Sequence, residues 1–351
     1  MKKILLIFLA ILSLNSCKKA EENNPVQVDV YIAGYGYAND SPESNAIARY
    51  WKNGIPVDLT EDTENAMAKS VFVSETDVYV AGYEACGDST YALYWKNGIP
   101  VTLPCDLKYT FAESIFISGE DVFVAGWGFS EKPNVNALRY WKNGVLIKLT
   151  DDTRFSRAFS ITVSDNDVYI AGFESNEEGF LEAKYWENGI PVKLTEGYYG
   201  NIAYANSITI SGDDVYVTGV VSGALMTSNT VATYWKNGVP TYLTDGSRDA
   251  QANSIVVSGK EVYVAGSEWI SSQNVTEKAK YWKNGTAVDV TDTISTCANS
   301  IAVIEDKVYI AGSQYLHLNN KAKYWGYNID SNPVDETLSD GEAFSIYLSI
   351  K

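Results

Sequence analysis

Tyr50-Trp51-Lys52-Asn53-Gly54 is the stretch that decides the fold, because it comes back along the chain. Near copies begin at Tyr94, Tyr140, Tyr185, Tyr234, Tyr281 and Tyr324, so the Tyr-Trp pair occurs seven times. Successive tryptophans lie 44, 46, 45, 49, 47 and 43 residues apart. A period in this range marks a repeat architecture, in which each unit buries its faces against its neighbours.

Outward from the motif, each unit reads as four strands, lettered a to d. Strand a is Ala-x-Ser-Ile-x-Val-Ser, as in Ala205 to Ser211. A polar turn leads to strand b, Asp-Val-Tyr-Val-Ala-Gly, as in Asp77 to Gly82. A variable stretch leads to strand c with its Tyr-Trp, and Asn-Gly turns the chain into a short strand d such as Val57 to Thr60. These runs are rich in Val, Ile, Tyr and Trp and are bounded by turn residues, as strands are. Asn-Gly supplies positive φ at both central positions of a type I′ hairpin, and turns such as Ser211-Gly212-Asp213-Asp214 are hairpin chemistry too. Neighbouring Tyr and Trp point to opposite faces of a sheet. Both need burial, so each sheet must have a partner on each face. The expectation is an all-β fold, a seven-bladed β-propeller of four-stranded antiparallel blades. The Tyr-Trp pairs then belong to the core rather than to a ligand site.

The first unit begins at strand b, Val28 to Gly34, and Ala343 to Lys351 reads as a strand a without a blade of its own. The C-terminal strand is therefore expected to complete the first blade and remove the edge that an open array would expose. The strand order resembles that of kelch propellers: a small-residue inner strand, a second strand ending in glycine, a third with Tyr, and an outer strand ending in Leu. It departs from them in having Ala-Gly for Gly-Gly and Trp beside Tyr. The resemblance implies architecture over residues 28–351 and carries no catalytic residue, since kelch-type repeats serve many functions.

Ahead of the repeats, Lys2 and Lys3 precede an apolar run, Ile4 to Leu12, too short to span a bilayer as a helix. Leu14-Asn15-Ser16-Cys17 follows and resembles a bacterial lipoprotein box. That resemblance implies a signal peptide over 1–16, lipidation of Cys17 and membrane anchoring through its acyl chains. Residues 17–27 read as a polar tether, similar at Lys18-Lys19-Ala20-Glu21-Glu22 to the surface-export tethers of Bacteroidetes lipoproteins. The expected location is the cell envelope, lipid-anchored, on the surface or periplasmic side.

The repeats can be compared with one another. From the strand-a Ala to the strand-b Gly the distance is 14 in six units, whereas Gly to the strand-c Tyr varies from 12 to 16 and Trp to the next Ala from 16 to 19. Strands alternate in direction, so the variable b–c and d–a connections emerge on one face. Diverse loops on a rigid scaffold are where binding sits. Tyr35, Tyr83, Trp127 and Phe173 open the b–c connections of units one to four, with Phe129 just beyond Trp127. Arg154, Phe155, Arg157, Tyr198 and Tyr199 stand in the d–a connections, and Trp269 with Trp127 are the tryptophans outside the repeat motif. Exposed aromatics beside Arg and Asp suit protein or sugar contacts, so these eleven residues are the candidate ligand surface.

The formal net charge is −17, which argues against nucleic acid and against anionic lipid as partners. The lone histidine, His317, excludes a multi-histidine metal site. No serine sits in a nucleophile motif, no cysteine pair has zinc spacing, and the acidic turns lack a calcium-loop pattern. A carboxylate-pair glycosidase stays open as the least favoured reading. The sequence thus reads as a monomeric, non-catalytic binding or scaffold protein without cofactor or metal. Its partner on the variable face is a protein, or alternatively a glycan within a polysaccharide-uptake system.

Three cysteines follow Cys17. Cys86 lies four residues past Gly82 and Cys105 two residues past Leu103 of the same unit, both toward the variable face. Export favours disulfides, so a Cys86–Cys105 bridge worth about 3 kcal/mol is expected, with Cys297 free. Strand c stands between the two, so the loops would have to bend toward each other.

Overall fold

Each repeat folds as an antiparallel a-b-c-d sheet, and seven such blades form a β-propeller. The computed structural model describes residues 27–350 apart from 39–40, 42, 63, 131–134, 196–201, 272–275, 317–318 and 329–330. The signal segment, Cys17, Tyr198, Tyr199 and His317 lie outside the described residues. Blade 2 stands for the set: Ala66–Ser74, Asp77–Cys86, Ser89–Lys96 and Ile99–Thr102 pair in that order. The a strands of successive blades touch one another around the ring, which makes strand a the innermost.

The ring closes through one long strand, Ser331–Ile350. Its first half pairs with Lys321–Asn328 as the outer strand of blade 7. Its second half, from Gly341, pairs with Val28–Tyr37 as the inner strand of blade 1. Gly341 marks the passage from one blade to the other. Its φ is +129°, and a Cβ there would lie 2.0 Å from the Tyr35 carbonyl oxygen, so only glycine fits.

The motif residues take the roles their chemistry predicts. All seven motif tryptophans are at most 1% exposed. Trp95 of blade 2 packs on Tyr31 and Tyr50 of blade 1, and Trp141 of blade 3 packs on Tyr79 and Tyr94 of blade 2. Trp and Tyr thus face opposite blades, and burying each Trp stabilises by about 2 kcal/mol or more. The six Asn-Gly pairs all have positive φ at both residues, for example +50° at Asn143 and +76° at Gly144. The asparagine does further work. Asn143 Oδ1 accepts the Val122 N–H at 2.8 Å and its Nδ2 donates to Asp121 at 2.7 Å. Lys142 adds an ion pair to Asp121 at 2.8 Å. The Asp, Lys and Asn that most of the repeats share therefore lock the b strand to the c–d hairpin on the uniform face.

Inner strands carry a bulge between the Ala and the Ser of Ala-x-Ser, as at Ala68/Ser70 and Ala158/Ser160. Strand a is the inner edge of its sheet, so the N–H of the residue after the Ser points away from strand b. The serine of the preceding blade accepts it: Ser70 from Ile115, Ser114 from Ile161, Ser160 from Ile208, Ser254 from Ile301 and Ser300 from Ile346, at 3.1–3.3 Å. The Gly of Ala-Gly is required on the partner strand. A Cβ on Gly82, Gly126 or Gly172 would lie 1.9–2.0 Å from the carbonyl oxygen of Met67, Phe111 or Arg157.

Outer strands begin with exposed Ile55, Ile99, Val145, Ile190 and Val239, one to a blade. Pro56, Pro100, Pro191 and Pro240 follow four of them and remove the N–H that an edge strand offers to another chain.

Candidate functional site at the mouth of the central channel

The inner-strand bulge pushes one residue per blade out of the ladder toward the axis. Round the ring these residues are Phe344, Lys69, Glu113, Phe159, Asn206, Asn253 and Asn299. Two residues earlier stand Glu342, Met67, Phe111, Arg157, Tyr204, Gln251 and Cys297, each directly across from a residue of strand b: Tyr35, Tyr83, Trp127, Phe173, Val220, Ser267 and Ser313. The repeats hold their neighbours constant and vary these three positions.

The strands therefore reach further than the sequence indicates. Tyr35, Tyr83, Trp127, Phe129, Phe173 and Trp269 lie within strand b and Arg157 within strand a, not in connecting loops. The Ala-Gly step does not end strand b, because the ladder continues on both sides past the bulge. Arg154 and Phe155 do lie in a connection.

One arc of the mouth, over blades 1 to 4, is aromatic and charged. Lys69 Nζ lies 3.8 Å from the centre of the Phe344 ring and 3.6 Å from Glu113. Glu113 also accepts the Trp127 Nε1–H at 3.0 Å. Trp127 stacks on Phe111 at 4.2 Å, and Phe111 meets Tyr83 edge-on at 4.8 Å. The Arg157 guanidinium lies 3.8 Å from the centre of the Trp127 ring and 5.5 Å from that of Phe155. Burial pulls the Arg157 pKa below the usual arginine value.

Two expected ligand residues are core instead. Phe173 is 2% exposed, held by Phe155, Phe159 and Tyr204. Tyr35 is 6% exposed; its hydroxyl donates to Glu342 at 3.3 Å, and burial raises its pKa. A side chain without free surface offers a ligand nothing, so both support the site rather than line it. Phe129 pairs with Tyr109 at the tip of blade 3, and Arg154 holds Glu177 at 3.3 Å, both away from the stack.

The opposite arc, over blades 5 to 7, is amide and hydroxyl. Asn206, Asn253 and Asn299 each donate from Nδ2 to the next blade's Ala carbonyl, at 3.0, 3.0 and 2.8 Å. Buried Ser267 donates to Glu277 at 2.7 Å and accepts from Gln251 at 3.2 Å. Burial raises the Glu277 pKa and pushes the Cys297 thiol up to about 12, with Glu277 adding to the latter.

Between blades 5 and 6 this arc opens into a cleft of about 550 Å³. Tyr204 and Trp269 supply aromatic surface to it, and Asn206, Asn253, Gln251 and Asp249 supply polar groups. Asn206, Gln251 and Asn253 were missed by a reading centred on loops. For the two asparagines the signal was present as the variable x of Ala-x-Ser, and for Gln251 as the variable residue before the Ala, but it becomes visible only once the bulge shows where these side chains stand.

The Cys86–Cys105 bond is absent; Cys86 is an exposed free thiol at the b–c hairpin and Cys105 a half-buried one. The strand Ser89–Lys96 keeps them apart, as Cys86 pairs with Ser89 while Cys105 packs into the cluster shared with blade 3. Cys297 is free, as expected, and buried. Among the described residues no group of three or more His, Cys, Asp or Glu is placed to hold a metal ion.

No family model matches the chain, and no curated protein matches it in sequence. Among solved structures, TolB from Acinetobacter baumannii is similar at a TM-score of 0.50 and 11% identity, over 92% of this chain and 67% of that one. The β-propeller domain of the Trilobed protease from Pyrococcus furiosus gives a TM-score of 0.49 and 10% identity, over 89% of this chain and 92% of that one. At such identity the likeness to TolB shows the β-propeller fold alone.

Proposed function

We propose that this chain is a non-catalytic binding protein of the bacterial cell envelope whose ligand docks at the mouth of the central channel. The observation that carries this reading is where the repeats stop repeating. Positions that hold blade to blade are constant, while the bulge residue, the residue two before it and the strand-b residue across from that one change round the ring, from aromatic and charged over blades 1 to 4 to largely amide and hydroxyl over blades 5 to 7. A kelch-like repeat that only had to close a ring has no use for that diversity. The lipoprotein box at Cys17 supports an anchored protein, with the propeller carried on the tether as a monomer.

The cleft between blades 5 and 6 favours a glycan. It is concave, and Tyr204 and Trp269 offer faces on which a sugar ring stacks. The amides of Asn206 and Asn253 donate to the backbone through Nδ2, which leaves each Oδ1 to accept from a sugar hydroxyl. Docking of a protein on the same face is the second reading. It is favoured by the breadth of the aromatic arc from Tyr83 to Arg157, which exceeds what a single sugar covers. A glycan array probed with the soluble propeller separates them. Binding that Trp269→Ala and Tyr204→Ala abolish supports the glycan; an array on which nothing binds removes it. Fractionation of a Cys17→Ser variant tests the anchor, and unchanged membrane association overturns it.

A further inference from the structure

Arg157 stands out in a chain with 44 Asp and Glu against 27 Lys and Arg. Among the described residues its guanidinium has no ion pair and no hydrogen bond, and its Nε is buried without a partner. The nearby carboxylate of Glu113 is already engaged by Lys69 and by the Trp127 indole N–H. By contrast the buried Arg139, on strand c of blade 3, holds Asp152 through two nitrogens at 2.7 and 3.0 Å. The Arg157 guanidinium carbon lies over the Trp127 ring and near that of Phe155 instead. A guanidinium held by ring contacts keeps its N–H fork unspent, as bidentate recognition of an anion needs.

Its position in the ring gives the cation a partner site. Arg157 and Tyr204 occupy the same register position in the adjacent inner strands Ser156–Ser164 and Ala203–Ser211, and Phe173 lies between them, opposite Arg157 in the ladder and 5.1 Å from the Tyr204 ring. Tyr204 in turn lines the cleft. An unpaired cation therefore borders a cleft with aromatic and amide walls.

We infer that the ligand is an acidic saccharide whose anionic substituent, a uronic carboxylate or a sulfate ester, is bound by Arg157 while a neighbouring sugar occupies the cleft between blades 5 and 6. This inference rests on the glycan reading above and narrows it to a charge class. The negative field of the rest of the molecule repels polyanions, so the cation selects an anion at one position rather than a uniformly charged chain.

The test is a glycan array with neutral, uronate-containing and sulfated oligosaccharides, run on the wild-type propeller, Arg157→Gln and Arg157→Lys, each first checked for an unchanged melting temperature. Titration of the best-bound oligosaccharide then gives affinities. Acidic glycans are expected to dominate. Arg157→Gln should weaken them at least tenfold while leaving any neutral glycan bound at the cleft unaffected. Arg157→Lys should restore part of the affinity, since it returns the charge without the planar fork. The uronate and sulfate arms separate the two anions. Selection of neutral glycans, or acidic binding that survives Arg157→Gln, overturns the inference and leaves glycan binding standing. An array without binding overturns both.

Discussion

The hydroxyl of Ser345 accepts a hydrogen bond from the backbone N–H of Val71, 274 residues away in sequence, at 3.4 Å. It is the same contact that Ser70 makes to Ile115 and Ser300 to Ile346. The serine contact thus crosses the junction between the last strand and the second blade as it crosses five others, and among the described residues only the joint between blades 5 and 6 lacks it.

Removal of residues 343–351 takes away the inner strand of blade 1 and exposes the edge of Val28–Tyr37. Aggregation or a large fall in melting temperature is expected. Ser345→Ala is the milder probe and should cost about 1 kcal/mol by urea denaturation, since it orphans the Val71 N–H. A truncated protein that melts like the intact one would show that the ring closes another way.

Two glycines of one molecule should behave differently. Gly172→Ala places a Cβ 2.0 Å from the Arg157 carbonyl oxygen, while Gly144→Ala meets nothing within 4 Å and suffers only its φ of +76°. Costs of about 3 kcal/mol or more are expected for the first and of about 1 kcal/mol for the second. Equal costs, measured by chemical denaturation, would show that close approach is not why the Ala-Gly step repeats.

Acid stability should depend on the uniform face. The lysine and asparagine of the hairpin hold the Asp77, Asp121 and Asp214 carboxyls below the usual range. A carboxylate depressed in the folded state contributes fully above its unfolded pKa of about 3.9 and loses that contribution as pH falls through the folded value. Asp121→Asn should therefore flatten the fall of melting temperature between about pH 5 and about pH 2. An unchanged slope would show that the Lys142 and Asn143 contacts do not persist in solution.

Thiol reactivity should follow burial. Cys86 is exposed, whereas the buried Cys297 thiol is pushed up to about 12. At about pH 8 iodoacetamide should modify Cys86 in the native protein and Cys297 only after unfolding. Alkylation of unreduced, denatured propeller should label Cys86, Cys105 and Cys297 alike. Protection of the first two would restore the bridge that the structure lacks.

Much of this molecule was legible without coordinates because its signals are local. A Tyr-Trp step, an Asn-Gly turn and an alternation of apolar residues act over a few residues, and their recurrence counts the blades. The Asp-Val-Tyr start of strand b fits the same reading, since Asp121 and Asn143 meet across a single hairpin pair. The site was legible only in outline. Trp127, Arg157 and Trp269 were chosen from sequence, but Phe173 and Tyr35 are core, and Asn206, Gln251 and Asn253 were not singled out for the site. Sequence alone determined the repeat, the strands and the turns, because backbone propensity and alternation are properties of neighbours in the chain. Only the tertiary structure decided which side chains share the channel mouth, because the bulge at Ala-x-Ser turns one residue per blade toward the axis and the ring sets Arg157 beside Trp127 and Tyr204 beside Trp269.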